Sequence, residues 1–232
     1  MQNEKAELDI ELFVSVLRAL EEAGALGEMV LIGSWCLLFY KEHFDGSPLI
    51  PAVRTSDVDL LVPWPKRVRR NANIPAVLEG LGFMQTTDFL TGYSKFARGD
   101  LVVEFLMPLR GDGREQVVKV KPLGITTQGL RHLDYREDEI IPMSYGGFTV
   151  RVPRPELYTM FKYIVHAERK NPVKQVKDLA TAQRLSDFFM GNEEGRQGLS
   201  WAFSRLTNKQ QRALLGIVKD KDPLLHMHLT GV

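Results

Sequence analysis

The chain has 232 residues, of which 44% are hydrophobic and 25% charged, a composition that predicts a globular protein with a sizeable core and excludes wholesale disorder. Its 30 basic and 29 acidic residues give a formal net charge of +1. The chain as a whole therefore has no electrostatic attraction for nucleic acid or anionic membrane, and any polyanion must be held locally.

Apolar periodicity predicts a mixture of helices and strands in the first part of the chain. Apolar residues at intervals of three and four indicate helices, and short apolar or alternating runs bounded by glycine indicate strands. The predicted helices cover residues 8–23, 35–44 and 74–81, and the predicted strands cover 29–32, 58–62 and 101–107, with a hairpin over 83–96.

The pattern changes character near residue 153. A β-rich segment with a hairpin turn at 145–147 extends to residue 152, and helical patterns follow over 157–169, 173–189 and 199–218. We therefore predict an α+β fold in two domains. Residues 1–153 form a mixed sheet flanked by helices, and residues 154–232 form a helical C-terminal domain.

Two carboxylates stand in the apolar segment DVDLLV. On a strand, residues two apart point to the same face, roughly 6.5 to 7 Å from each other. Asp57 and Asp59 therefore project together, while Val58 and Leu60 point into the core. Two like charges this close repel unless a positive charge lies between them, and Mg²⁺ held by carboxylates and substrate phosphates fits that need. The alternative is a turn or cap at the start of a strand.

A third acid, Glu104, is the only charge within LVVEFLM. A carboxylate in an apolar strand needs a partner, because burying it unpaired costs several kcal/mol. If Glu104 shares the face of Asp57 and Asp59, three carboxylates converge as in the metal clamp of a phosphoryl or nucleotidyl transfer site. The alternative is an ion pair with a nearby Arg or Lys, which would fit a metal-free binding domain.

Gly33 and Ser34 lie between the first predicted strand and the following helix. Glycine lets the backbone approach a phosphate closely, and a helix N-terminus offers free N–H groups and a partial positive charge. The serine hydroxyl adds a donor. Alternatively, Ser34 only caps its helix.

The order of these motifs, GSW, SDVDLLV and VVEFL, resembles the nucleotidyltransferase superfamily typified by DNA polymerase beta, over roughly residues 29–108. The resemblance implies a nucleotidyltransferase-like fold in which Asp57, Asp59 and Glu104 hold two Mg²⁺ ions. It further implies that Gly33 and Ser34 bind the triphosphate of an NTP, with ATP as the expected nucleotide.

The implied activity is transfer of an NMP from the NTP to an acceptor hydroxyl, with release of pyrophosphate and with Glu104 as general base. Ser34 and Asp57 lie 23 positions apart, a longer interval than in compact antibiotic-modifying members. This spacing is similar to that of bacterial branches that include components of toxin–antitoxin pairs. The alternative function is a catalytically inactive relative that binds a nucleotide or a partner.

Three basic residues complete the predicted nucleotide site. Arg54 and Lys95 flank the acidic motifs, and Lys162 belongs to a row with His166, Arg169 and Lys170 at helical spacing that is able to face the triphosphate. The alternative for each is a solvated surface position. The acceptor is open between a small molecule, a tRNA and a protein, and the oligomeric state is open as well.

Cys36 is the only cysteine, so it has no intramolecular disulfide partner, and this indicates a reducing compartment. The acidic N-terminus lacks the features of a signal peptide, and the longest apolar runs fall far short of the ~20 residues that span a bilayer. We expect a cytoplasmic protein with no membrane partner.

Overall fold

The structure is a computed structural model that describes residues 2–52, 55–63, 67–109 and 116–231. The chain divides into two compact units. The first comprises Met1–Glu42 and Val53–Val152, and the second comprises His43–Ala52 and Pro153–Val232. The predicted domains, 1–153 and 154–232, stay a prediction, and residues 43–52 group with the helical unit, which the sequence pattern does not indicate.

The first unit is built on a mixed sheet to which seven strands of the described residues belong. Strand β5 is central, because β2 runs parallel to it on one side while β4 and β7 both pair with it. The strand order is β1-β2-β5-β4-β3, and β6 joins through β7. The strands are β1 Val30–Ile32, β2 Asp57–Leu61, β3 Met84–Thr87, β4 Ser94–Arg98, β5 Leu101–Pro108, β6 Val117–Val120 and β7 Ile125–Leu130.

Alternation along the two central strands separates a core face from a more polar face. Val58 and Leu60 of β2 and Val103 and Phe105 of β5 are fully buried. The residues between them are only partly buried. The period of two therefore places the acidic side chains opposite the core, as the sequence predicts.

Helices and a hairpin complete this part of the chain. Helix α1 buries Phe13, Val16, Leu17 and Leu20, which recur at intervals of three and four. The predicted hairpin turn is confirmed at Gly146-Gly147, where both residues have positive φ and join β8 to β9. These elements are α1 Gln2–Glu22, α2 Cys36–His43, α3 Ile74–Gly80, β8 Ile140–Tyr145 and β9 Phe148–Pro153.

The second unit contains helices α4 to α8. The single helix predicted over 199–218 is wrong, because Leu206 is extended and Thr207 starts a new helix through a reciprocal capping box with Gln210. A further helix, not predicted, follows at the C-terminus. The helices are α4 Pro155–Glu168, α5 Pro172–Met190, α6 Glu193–Arg205, α7 Asn208–Lys221 and α8 Pro223–Thr230. None of the helices in the described residues has the length and apolar character needed to cross a membrane.

Candidate active site

The pairing of β2 with β5 brings the predicted acids onto one face of the sheet. These strands are parallel, with Asp59 opposite Glu104 and Asp57 opposite Val102. Paired residues on neighbouring strands point to the same face, and the strands lie about 4.8 Å apart. Asp57, Asp59 and Glu104 therefore share a face, and each is partly buried.

Gly33 lies directly against one of these carboxylates. Strand β1 pairs antiparallel with β2, so that Ile32 lies opposite Asp59, and the chain then turns through Gly33 at a φ of +73°. A Cβ atom on Gly33 would lie 2.2 Å from Oδ2 of Asp59. Only glycine fits this position, because it adopts the left-handed conformation without strain and leaves room for the carboxylate.

The turn that carries Gly33 and Ser34 is anchored in the core. Gly33–Trp35 forms one turn of 3₁₀ helix and leads into α2. The buried Trp35 ring stacks on Phe13 with centroids 4.1 Å apart, and the Cys36 thiol donates to the carbonyl of Leu31 at 3.2 Å. The packing on both sides fixes the backbone beside Asp59, while Ser34 stays partly exposed.

Lys95 forms an ion pair with Glu104. Lys95 lies on β4, next to β5, and its side chain is 44% exposed, whereas that of Glu104 is 18% exposed. The Lys95 ammonium also lies 5.7 Å from the centroid of the Tyr93 ring. The predicted nucleotide-binding lysine and the predicted third metal ligand are thus in contact in this structure.

Tyr93 lies near the predicted acids, and the sequence gives no indication of this position. It is buried, and its hydroxyl donates to the carbonyl of Phe105 at 3.1 Å. Burial, followed by the negative charges of Glu104 and Asp59, raises the pKa of the Tyr93 phenol well above its ordinary value. Tyr93 therefore stays neutral beside the acids. Only the hairpin register, which no local motif encodes, places it there.

The side chains agree in chemical type with a cation site. Among the described residues, no three His, Cys, Asp or Glu side chains are grouped to hold a metal ion. The donor set nevertheless fits Mg²⁺, which prefers oxygen ligands and is usually held by one or two carboxylates with substrate phosphates. Asp59 and Glu104 lie opposite each other and supply such oxygens, and the missing Cβ of Gly33 leaves the room that the Asp59 carboxylate occupies.

Lys162 is a buried residue with a structural partner. Its ammonium donates to Asp178 Oδ1 at 2.5 Å, and Arg169 Nε donates to Oδ2 of the same carboxylate at 2.9 Å. The alternative of a solvated surface position is therefore wrong for Lys162, and nucleotide binding by Lys162 stays a prediction. The predicted basic row is interrupted. Helix α4 ends at Glu168, and Arg169 is extended. The predicted site residue Arg54 lies outside the described residues.

Comparison with known proteins assigns the chain to a family. A model of a nucleotidyltransferase family matches residues 11–199, more than half of the chain, and the chain therefore belongs to this family of enzymes that transfer nucleotidyl groups. No curated protein sequence shows significant similarity to the chain.

Two solved structures are similar to the chain at low sequence identity. A nucleotidyltransferase-like antigenic protein from Paracoccidioides brasiliensis is 17% identical, with a TM-score of 0.51 over 94% of this chain and 91% of that chain. ANT(2″)-Ia in complex with adenylyl-2″-tobramycin is 16% identical, with a TM-score of 0.48 over 84% of this chain and 97% of that one. The first similarity and the family match together define the fold as nucleotidyltransferase-like α+β.

Proposed function

We propose that this chain is a divalent-metal-dependent nucleotidyltransferase that moves an NMP from an NTP, with ATP as the expected donor, to an acceptor hydroxyl and releases pyrophosphate. The observation that supports it most is the register of Asp59 opposite Glu104, with Gly33 packed against the Asp59 carboxylate. This places a backbone turn suited to phosphate beside acids suited to a cation.

Asp57, Asp59 and Glu104 are the residues that would hold Mg²⁺. When bound, the metal supplies positive charge against the triphosphate and lowers the pKa of the attacking hydroxyl. The exposed parts of Gly33 and Ser34 bind phosphate oxygens through backbone N–H groups and the serine hydroxyl. Lys95 is a further phosphate ligand within reach of the acids. Lys162, bound by Asp178, has a structural role instead.

Glu104 acts as the general base in this proposal. Its carboxylate takes the proton of the acceptor hydroxyl as the oxygen attacks the α-phosphorus. The bond from that phosphorus to the bridging oxygen of the β-phosphate breaks, pyrophosphate leaves with the electron pair, and the proton later passes from Glu104 to solvent. The acceptor gains a phosphodiester, and no other reactant is consumed.

The alternative is a relative that binds a nucleotide or a partner, such as a toxin–antitoxin component, without transfer. The ion pair between Lys95 and Glu104 favours this alternative, because it satisfies the third acid without a metal. Nucleotide binding without any transfer would support it.

The test is incubation of the protein with α-labelled NTPs, Mg²⁺ and a cell extract. We expect a labelled product with the wild type and none with EDTA or with Asp57→Asn, Asp59→Asn or Glu104→Gln. Two exposed acids, Asp220 and Glu79, provide the matched controls Asp220→Asn and Glu79→Gln, which should label like the wild type. Wild-type labelling in excess EDTA would exclude the metal-dependent reaction.

The same experiment identifies the class of acceptor. Sensitivity of the labelled product to ribonuclease or to protease distinguishes a tRNA acceptor from a protein acceptor. Label that passes a small-pore filter and separates from the NTP, NDP and NMP by chromatography belongs to a small-molecule acceptor. Nucleotide binding with no labelled product for any NTP would support the inactive relative.

A further inference from the structure

The Glu104 carboxylate lies between an acidic and a basic residue of the sheet. Asp59 lies opposite it on β2, and Lys95 contacts it from β4. Because Asp59 and Glu104 are on adjacent strands and carry like charges, they repel each other in the absence of a counter-charge. Lys95 supplies a counter-charge to Glu104 in the structure.

A lysine is suited to an ion pair with Glu104 that is able to break and re-form. Its ammonium is a compact charge on a flexible four-carbon stem, in contrast to the rigid two-point contact that an arginine makes with a carboxylate. The Lys95 side chain is nearly half exposed, so its ammonium is able to move into solvent at little cost. The face of Tyr93, 5.7 Å away, offers a second weak contact in a range where cations are attracted to aromatic rings.

We propose that Lys95 is a resident cation that competes with the divalent metal for Glu104, and that its departure is required for metal to bind. This rests on the proposed function, because it assumes that Glu104 is a metal ligand. Lys95 holds the acids in place in the metal-free protein. It leaves Glu104 when the metal arrives together with a triphosphate, whose oxygens then receive its ammonium.

Two effects of removing Lys95 follow from this competition: the stability of the metal-free protein falls, and the affinity for the metal rises. Lys95→Met leaves Glu104 without the ammonium that contacts it, so the metal-free protein unfolds at a lower temperature. The same substitution removes the competitor, so the metal binds more tightly. The ion pair is partly exposed and worth up to about 1 kcal/mol, which corresponds to an affinity gain of about fivefold.

The test is calorimetric titration of the metal-free protein with Mn²⁺ and Mg²⁺, together with thermal unfolding at zero and saturating metal. Lys95→Met should bind metal about fivefold more tightly than the wild type, and its lower stability should disappear at saturating metal. A purely structural role for Lys95 predicts the same loss of stability at both metal concentrations.

Three control variants separate charge from packing. Lys95→Arg keeps the positive charge and should not gain affinity. Lys119→Met removes an equal charge from an exposed position on β6 and should behave like the wild type. Asp59→Asn should abolish binding, which identifies the titrated site as the proposed one.

The outcomes distinguish this inference from the proposed function. If the wild type binds metal and Lys95→Met binds with the same or lower affinity, the competition is wrong while the metal-dependent function stands. A gain of affinity in Lys95→Arg as well would also overturn it, because packing and not charge would then be the cause. If neither the wild type nor Lys95→Met binds either metal alone, this inference is wrong, whereas the metal-dependent function is still decided by the labelling assay, in which the metal is bound together with the triphosphate.

Discussion

Gly33→Ala tests the link between the glycine turn and the acids. A Cβ at this position would lie 2.2 Å from Oδ2, 3.1 Å from Cγ and 3.3 Å from Cβ of Asp59. The carboxylate must therefore move by roughly 1 Å to restore ordinary van der Waals contact. The alanine would also have to adopt a φ of +73°.

The expected loss of stability has two parts. The left-handed backbone costs an alanine about 1 kcal/mol, and forcing the Asp59 side chain aside costs about 1–3 kcal/mol more. The second part also affects function, because a displacement of about 1 Å in a catalytic group costs on the order of 100-fold in rate. We therefore expect a total loss of about 2–4 kcal/mol and a fall of about 100-fold in labelled product.

Gly24→Ala is the matched control. Gly24 has nearly the same φ, +71°, and a Cβ there would meet no atom within 4 Å. Urea unfolding gives the free energy of unfolding of both variants, and the rate of NMP transfer is measured on the fraction that is folded. Subtracting the loss of stability in Gly24→Ala from that in Gly33→Ala removes the cost of the left-handed backbone. The remainder is the cost of the contact with Asp59.

Equal losses of stability in the two variants, together with unchanged transfer in Gly33→Ala, would refute this reasoning. The contact with Asp59 would then be relieved by a small shift of the turn, and the glycine would serve the backbone alone.

Two further substitutions test the charges of the second unit. Asp178→Asn should cost about 3 kcal/mol at pH 7, since it leaves Lys162 buried without its partner. Burial raises the pKa of Asp178, but the positive charges and hydrogen bonds of Lys162 and Arg169 lower it by more, so the pKa lies below its ordinary value. The carboxylate therefore contributes its stability above about pH 4 and loses it as the pH falls through the lowered pKa. The free energies of unfolding of the wild type and Asp178→Asn are measured in urea at pH 7 and pH 3. An equal difference at the two pH values would contradict the expected loss at low pH. Glu156→Gln should instead stabilise the protein by about 1 kcal/mol at pH 7, because the buried Oε2 of Glu156 accepts no hydrogen bond within the described residues. Burial raises its pKa, so the ionised form costs stability above the ordinary pKa, and the gain should vanish near pH 4. An equal gain at both pH values would indicate a different cause.

The helix and strand assignments follow from local periodicity, which explains where they succeed and where they fail. Residues 57–60 of one central strand and 101–105 of the other alternate between buried and partly buried positions, while the C-terminal ends of both strands are buried throughout. The helix predicted over 199–218 is interrupted because the capping box of Thr207 and Gln210 outweighs a continuous apolar pattern. A cap is a local signal, and the sequence carries this one.

The sequence by itself determines that Asp57 and Asp59 share one face of their strand and that Val58 and Leu60 share the other, because the period of two along a strand fixes which residues share a face. It leaves open whether Glu104, on another strand, lies on the face of the two aspartates. It also determines that a glycine follows the first strand. It does not determine that Asp59 lies opposite Glu104, that Gly33 touches the Asp59 carboxylate, or that Lys95 holds Glu104. Those facts depend on strand order and register, which are set when residues far apart in the chain pack together, and no local pattern of residues contains that information.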